Sequence, residues 1–294
     1  MDKKLLLLDY ESNFIAWIKE KNLSFITGCY RRKKQEKKTF RLFVKPKDWE
    51  RGIVFFAHGT GNSSLFPVID LFMNLINRGY GVYAFDLDGH GLNSTTLLQL
   101  ESIETCIDDA VTDLMSLSDR KLKIHLLGHS LGGCLILHFL KNCRIEMTSI
   151  IVVSSPLKVT FRLNGLINEM VSPFKWSIHH QRSHYGFWGL IPAIGPFKRS
   201  SFPLRIDPGH QIFYPRLVST IISGLNFLSS NEIDIPILLV YGRKDMIAPV
   251  SHGEKIAQQF RHGEMMVVEK GNHFTTFIDQ LTTDQIIKWL NRRF

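Results

Sequence analysis

The sequence predicts an α/β protein built on a mostly parallel sheet with helices on its faces. Three observations carry this expectation. From residue 50 onward, short β-branched or aromatic runs alternate with segments of helical periodicity, the sequence form of strand-helix-strand units. Several of these runs are apolar without interruption, as strands covered on both faces are. Glycine-rich turns then follow the strands, as at residues 58–61 and 128–133.

The 294 residues are 44% apolar and 21% charged, with 21 Gly and 11 Pro. These fractions belong to an ordinary folded chain and exclude disorder, collagen and low complexity. The length fits one α/β domain with a large insertion. The longest apolar runs, residues 5–8 and 150–153, fall far short of the ~18 residues that cross a bilayer. The first is also shorter than the ~7 to 15 apolar residues of a secretory signal, so a cytoplasmic protein is expected. Cys29, Cys106, Cys134 and Cys143 form no C-x-x-C pair and are too few for a disulfide framework at this length, which predicts buried free thiols.

Taken in order, two strand-like segments, residues 23–30 and 39–44, flank the run Arg31-Arg32-Lys33-Lys34-Gln35-Glu36-Lys37-Lys38. This run reads as a solvated hairpin tip. The formal charge of +9 attracts anions in low salt, and the sharper reading of the run is transient contact with an anionic membrane or carrier, with nucleic acid set aside. Parallel strands are expected at 52–57, 81–85, 123–127, 149–153, 236–241 and 265–268. After Pro67, Val68, Leu71, Phe72, Leu75 and Ile76 share one helical face that stops before Gly79, where a helix-ending glycine belongs. Residues 101–117 repeat Ile103, Ile107, Val111, Leu114 and Leu117 at helical spacing, a helix covering the sheet. The last helix is placed near Thr282, with Gln285 completing a capping box, and buries Ile286, Ile287 and Leu290.

Between residues 156 and 232 the alternation stops: there is no clear strand, while Pro, Gly and aromatic residues abound. This segment reads as an insertion, either with a small core of its own or as a lid whose apolar underside lines a pocket. Phe161, Phe174, Trp176 and Trp188 are its candidate substrate contacts. The chain therefore divides into a core, residues 1–155 and 233–294, and an inserted cap, residues 156–232.

The chemistry centres on Gly128-His129-Ser130-Leu131-Gly132-Gly133, which follows a strand and opens a helix. A serine on a tight strand-to-helix turn has its hydroxyl pushed out of the sheet, and flanking glycines permit the crossing. A hydroxyl is protonated at neutral pH, so Ser130 needs a base, and the base needs an acid to orient it. Gly242-Arg243-Lys244-Asp245 and Gly271-Asn272-His273 each follow a later strand, which sets Asp245 and His273 on the same sheet edge as Ser130. The backbone N–H groups of Thr60 and Leu131 are the candidate oxyanion donors, with Gly59 and Gly61 as alternatives to Thr60. His58, His90 and His129 lie in glycine-rich turns and read as structural hydrogen-bond donors, and His252 as a helix-surface residue.

The segments AHGTGN, DLDGHGLNS, GHSLGG, YGRKD and GNH, in this order and spacing, resemble the α/β-hydrolase superfamily, especially serine hydrolases of the monoacylglycerol lipase, lysophospholipase and S33 aminopeptidase type. The resemblance covers residues 39–294. It implies an eight-stranded sheet with a cap inserted after the sixth strand, and Ser130, Asp245 and His273 as nucleophile, acid and base. Serine rather than aspartate at the elbow argues against dehalogenase or epoxide hydrolase chemistry. The turn Asp86-Leu87-Asp88-Gly89-His90-Gly91 carries an acid where many relatives have Arg or Pro.

The resulting expectation is a carboxylesterase or lipase-like serine hydrolase that forms an acyl-enzyme, needs no cofactor or metal, and takes a small-molecule acyl ester or thioester. The alternatives are a thioesterase or acyltransferase, an S33-type aminopeptidase, and a non-catalytic ligand receptor of the same fold.

Overall fold

The uninterrupted apolar runs of the sequence are the buried strands of one sheet in the computed structural model, which describes residues 9–32, 38–47, 51–59, 64–65, 68–88, 90, 93, 103–117, 122–143, 145–157, 222–223, 233–273 and 275–293. The strands are β1 (Ser24–Arg31), β2 (Lys38–Lys45), β3 (Ile53–Ala57), β4 (Gly81–Phe85), β5 (Ile124–His129), β6 (Ser149–Val153), β7 (Ile237–Gly242) and β8 (Gly263–Val268). Their order across the sheet is β1-β2-β4-β3-β5-β6-β7-β8. The β1/β2 and β2/β4 pairs are antiparallel, and every other pairing is parallel.

Side chains alternate across each strand, so one strand feeds two cores. In β3, Ile53, Phe55 and Ala57 face a cluster that includes residues of α3 (Cys106–Ser116), α4 (Leu131–Leu140) and α5 (Val250–Ala257). Val54 and Phe56 face the other, with α1 (Asp9–Glu20), α2 (Ile69–Asn77), α6 (Thr275–Ile278) and α7 (Gln280–Asn291). The helix after Pro67 ends as expected, with Gly79 at φ 84° donating its N–H to Ile76. Among the described residues, no helix is long and apolar enough to cross a membrane. The expected cap, residues 156–232, lies almost wholly outside the described residues.

Several expectations change on contact with the fold. Helix α1 has too short an apolar stripe to stand out in the sequence, yet Phe14 and Ile18 are fully buried, and Phe14 sits 6.4 Å from the Phe72 ring. The last helix is capped by Asp279, whose Oδ2 accepts from the Thr282 N–H at 3.0 Å. A carboxylate at this position satisfies an orphan first-turn amide, and it leaves Thr282 inside the helix and 1% exposed. Cys106 and Cys134 are buried, but Cys29 is exposed on β1.

The basic run is also not solvated throughout, because Arg32 is buried. Its Nε donates to Asp109 Oδ2 at 3.0 Å, Nη1 to Asp88 Oδ2 at 3.3 Å and Nη2 to Thr105 Oγ1 at 3.1 Å. One guanidinium thus ties the β1 end to the turn after β4 and to α3. Removing one partner of a buried ion pair leaves charge behind in a poorly solvated place. Arg32→Met is therefore expected to destabilise the protein by about 3 to 5 kcal/mol in urea unfolding; an unchanged midpoint would refute the assignment.

Candidate active site

The turn from β5 into α4 holds Ser130 at φ 53° and ψ −119°, a left-handed conformation that costs energy for any residue with a Cβ. The glycines around it are demanded by close approach. A methyl group on Gly132 would stand 2.0 Å from the Ala57 carbonyl oxygen, and one on Gly128 would stand 2.5 Å from the Gly133 Cα. The elbow therefore rests directly on the end of β3. It is also held from behind, since Ser155 Oγ donates to the Ser130 carbonyl at 2.8 Å and Tyr241 Oη donates to the Ser155 carbonyl at 2.7 Å. Sequence reasoning missed this support, although the abrupt change from apolar β6 to Ser154-Ser155 was a signal.

Asp245 follows β7, and His273 follows β8. Their loops interlock through two glycines: a methyl group on Gly242 would lie 2.4 Å from the Gly271 carbonyl oxygen, and the Lys244 N–H donates to that same oxygen at 2.9 Å. Asn272 caps α6, its Oδ1 accepting from the Thr275 N–H at 2.8 Å. The structure brings Ser130, Asp245 and His273 together. Nε2 of His273 lies 2.9 Å from Ser130 Oγ, and its Nδ1 lies 3.0 Å from Asp245 Oδ2. A carboxylate only accepts, so Nδ1 carries the proton and Nε2 offers its lone pair to the serine hydroxyl.

Asp245 is 4% exposed, and its Oδ1 accepts from the backbone N–H of Ile247 at 2.9 Å and Ala248 at 2.7 Å. Burial pushes its pKa upward, but the charge and hydrogen bond of His273 and the Ala248 N–H outweigh burial and hold the carboxyl below its ordinary value. The acid therefore stays ionised beside the imidazole. Such amide donors leave no trace in residue type and were not legible before the fold was known.

The other predicted residues fall into place unevenly. Leu131 is the first residue of α4, so its N–H is among the first-turn amides that have no acceptor within the helix. Gly59 approaches the elbow, with its would-be methyl 2.9 Å from Ser130 Cβ. Thr60 and Gly61, and the cap residues Phe161, Phe174, Trp176 and Trp188, lie outside the described residues. His58 is structural, its Nδ1–H donating to the Gly59 carbonyl at 2.8 Å and its Nε2 accepting from the Leu87 N–H at 2.9 Å. Burial pushes its pKa down to about 4. His90 Nδ1 donates to the Asp88 carbonyl at 2.8 Å. His252 is not at the surface: it is 8% exposed, and its Nδ1 accepts from the Leu157 N–H at 3.2 Å.

Comparison with known proteins agrees with this architecture. The family model described as serine aminopeptidase, S33, matches residues 48–184. Non-heme chloroperoxidase CPO-A1 of Kitasatospora aureofaciens is 26% identical over 77% of this chain and 87% of its own. Pimeloyl-[acyl-carrier protein] methyl ester esterase of Neisseria meningitidis is 25% identical over 82% of this chain and 75% of its own. A solved esterase from Thermogutta terrifontis superposes with a TM-score of 0.66 over 91% of this chain and 99% of its own at 14% identity, a likeness of fold. Sheet order and the likeness to solved structures converge: the chain has the α/β-hydrolase fold.

Proposed function

We propose that this protein is a serine hydrolase that cleaves carboxylic esters through an acyl-enzyme. The observation that carries the reading is the continuous relay from Ser130 Oγ through His273 to Asp245, at 2.9 Å and 3.0 Å. In the proposed cycle, Ser130 Oγ attacks the ester carbonyl carbon while its proton passes to His273 Nε2. Asp245 stabilises the imidazolium without taking a proton. The N–H groups of Leu131 and Thr60 hold the oxyanion. The C–O bond to the alcohol then breaks, the leaving oxygen takes the proton from His273, and water repeats the sequence in reverse to release the acid. The aromatic residues of the segment 156–232, which the sequence reads as an inserted cap, favour an aliphatic acyl group.

One finding favours a second reading. The matching family model is described as a serine aminopeptidase, and the same relay attacks amides as well as esters. Incubating the purified protein with a fluorophosphonate probe tests the shared chemistry, and label on Ser130 is the expected result. Unlabelled protein would refute both readings. A panel of p-nitrophenyl esters, acyl thioesters and amino-acyl amides then separates them, with the esters expected to turn over fastest.

A further inference from the structure

His129 sits where three segments meet. It is the last residue of β5, directly ahead of Ser130. Its ring stacks on Phe277 of α6, with centroids 4.9 Å apart and planes 10° apart, and lies 5.3 Å from the His273 ring. A methyl group on Gly59 would stand 2.8 Å from its Nδ1. Its Nε2 lies 3.1 Å from the backbone carbonyl oxygen of His273. A carbonyl only accepts, so Nε2 carries the proton.

The need for such a contact follows from topology. Strand β8 is separated from β5 by β7 and β6, which puts three strand spacings, roughly 14 Å, between the strand that carries the nucleophile and the strand that delivers the base. The loop 269–273 must span that gap and hold an imidazole within hydrogen-bond reach of Ser130. Its side chain contacts Asp245 and Ser130; the bond from His129 fixes its backbone.

We propose that His129 is a positioning residue: by donating Nε2–H to the His273 carbonyl, it fixes the histidine loop to the nucleophile strand and sets the distance between His273 Nε2 and Ser130 Oγ. This inference rests on the serine-hydrolase reading above. A neutral donor suits the task. Burial, then the nearby His273, hold the His129 pKa down at about 3, so the ring carries no charge to oppose the imidazolium that forms 5.3 Å away.

The test separates the donor from the ring. His129→Phe keeps an aromatic surface on Phe277 and lacks the donor. His129→Met and His129→Gln are close in shape, and only Gln restores an N–H near the Nε2 position. With p-nitrophenyl butyrate as substrate, the Phe and Met variants are expected to lose about tenfold or more in kcat, with KM little changed. Their fluorophosphonate labelling should slow in proportion, and Gln should recover most of both. If all three variants match wild type, or if Gln falls as far as Met, the inference is overturned. The Met and Gln pair decides the matter should the Phe variant fail to fold. Wild-type protein that takes no label overturns the serine-hydrolase reading and this inference with it, whereas labelled wild type with indifferent variants overturns the inference alone.

Discussion

Ser130→Ala is expected to lower p-nitrophenyl ester turnover by about 10⁴-fold or more, while leaving the fold intact. The size follows from what is removed. On the proposed mechanism Oγ is the atom that forms the acyl-enzyme, and what would remain without it is an oxyanion pocket acting on water. The fold is spared because alanine keeps the Cβ that Ser130 already holds at φ 53°, so no new backbone strain arises. The supporting bonds from Ser155 and the chain amides reach the carbonyl of residue 130, not its side chain. What is lost for stability is one hydrogen bond to His273, worth about 1 kcal/mol. Asp245→Asn is expected to fall nearly as far, because an amide turned toward His273 Nδ1 favours the wrong tautomer. Steady-state assays beside circular dichroism check both. Activity of Ser130→Ala within tenfold of wild type would remove Ser130 from the mechanism.

The parts of this site that were legible in the sequence are those that geometry writes in glycine. Gly128 and Gly132 are forced by backbone contact at the elbow, and Gly242 and Gly271 by the packing of the two loops that follow β7 and β8. The sheet was legible for a similar reason: strands such as β3 and β6, buried on both faces, leave uninterrupted apolar runs. Helix α1 was not legible, because a short apolar stripe suffices once α2 is there to receive Phe14. Arg32 was misjudged because its charge is balanced by Asp88 and Asp109, 56 and 77 residues away, and no local pattern announces so distant a partner. The turn Asp86-Leu87-Asp88, unusual for its second acid, acquires a meaning here, since Asp88 faces that guanidinium. The Asp245 amides and the His129 bond are backbone contacts and belong to the fold alone.

Below about pH 6 the protein is expected to lose stability steeply and to unfold between roughly pH 5 and pH 4. Three buried histidines drive this. Burial depresses His58 and His125 to about 4 and His129, with help from His273, to about 3. Each ring is neutral in the folded protein and hydrogen-bonded as such; His125, for example, donates to the Arg51 carbonyl and accepts from Ser149 Oγ. In the unfolded chain the same rings titrate near 6.5. Between that value and the folded ones the unfolded state binds more protons, so stability rises with pH across this window and is lost as pH falls through it. Each ring contributes a slope of up to about 1.4 kcal/mol per pH unit, and three together reach on the order of 4. At that slope a stability of about 5 to 10 kcal/mol, the lower part of the usual range, is exhausted within about one to three units. Asp245, held low, adds to the loss at more acidic pH, while Asp113, raised chiefly by burial, works against it. Urea midpoints measured at about pH 7, 6 and 5 give the slope. His125→Gln, remote from the elbow, removes one of the three titrating rings and should reduce the slope by about a third, whatever it costs at neutral pH. A stability flat from about pH 6.5 to pH 4.5 would show that these rings are not buried in the neutral form.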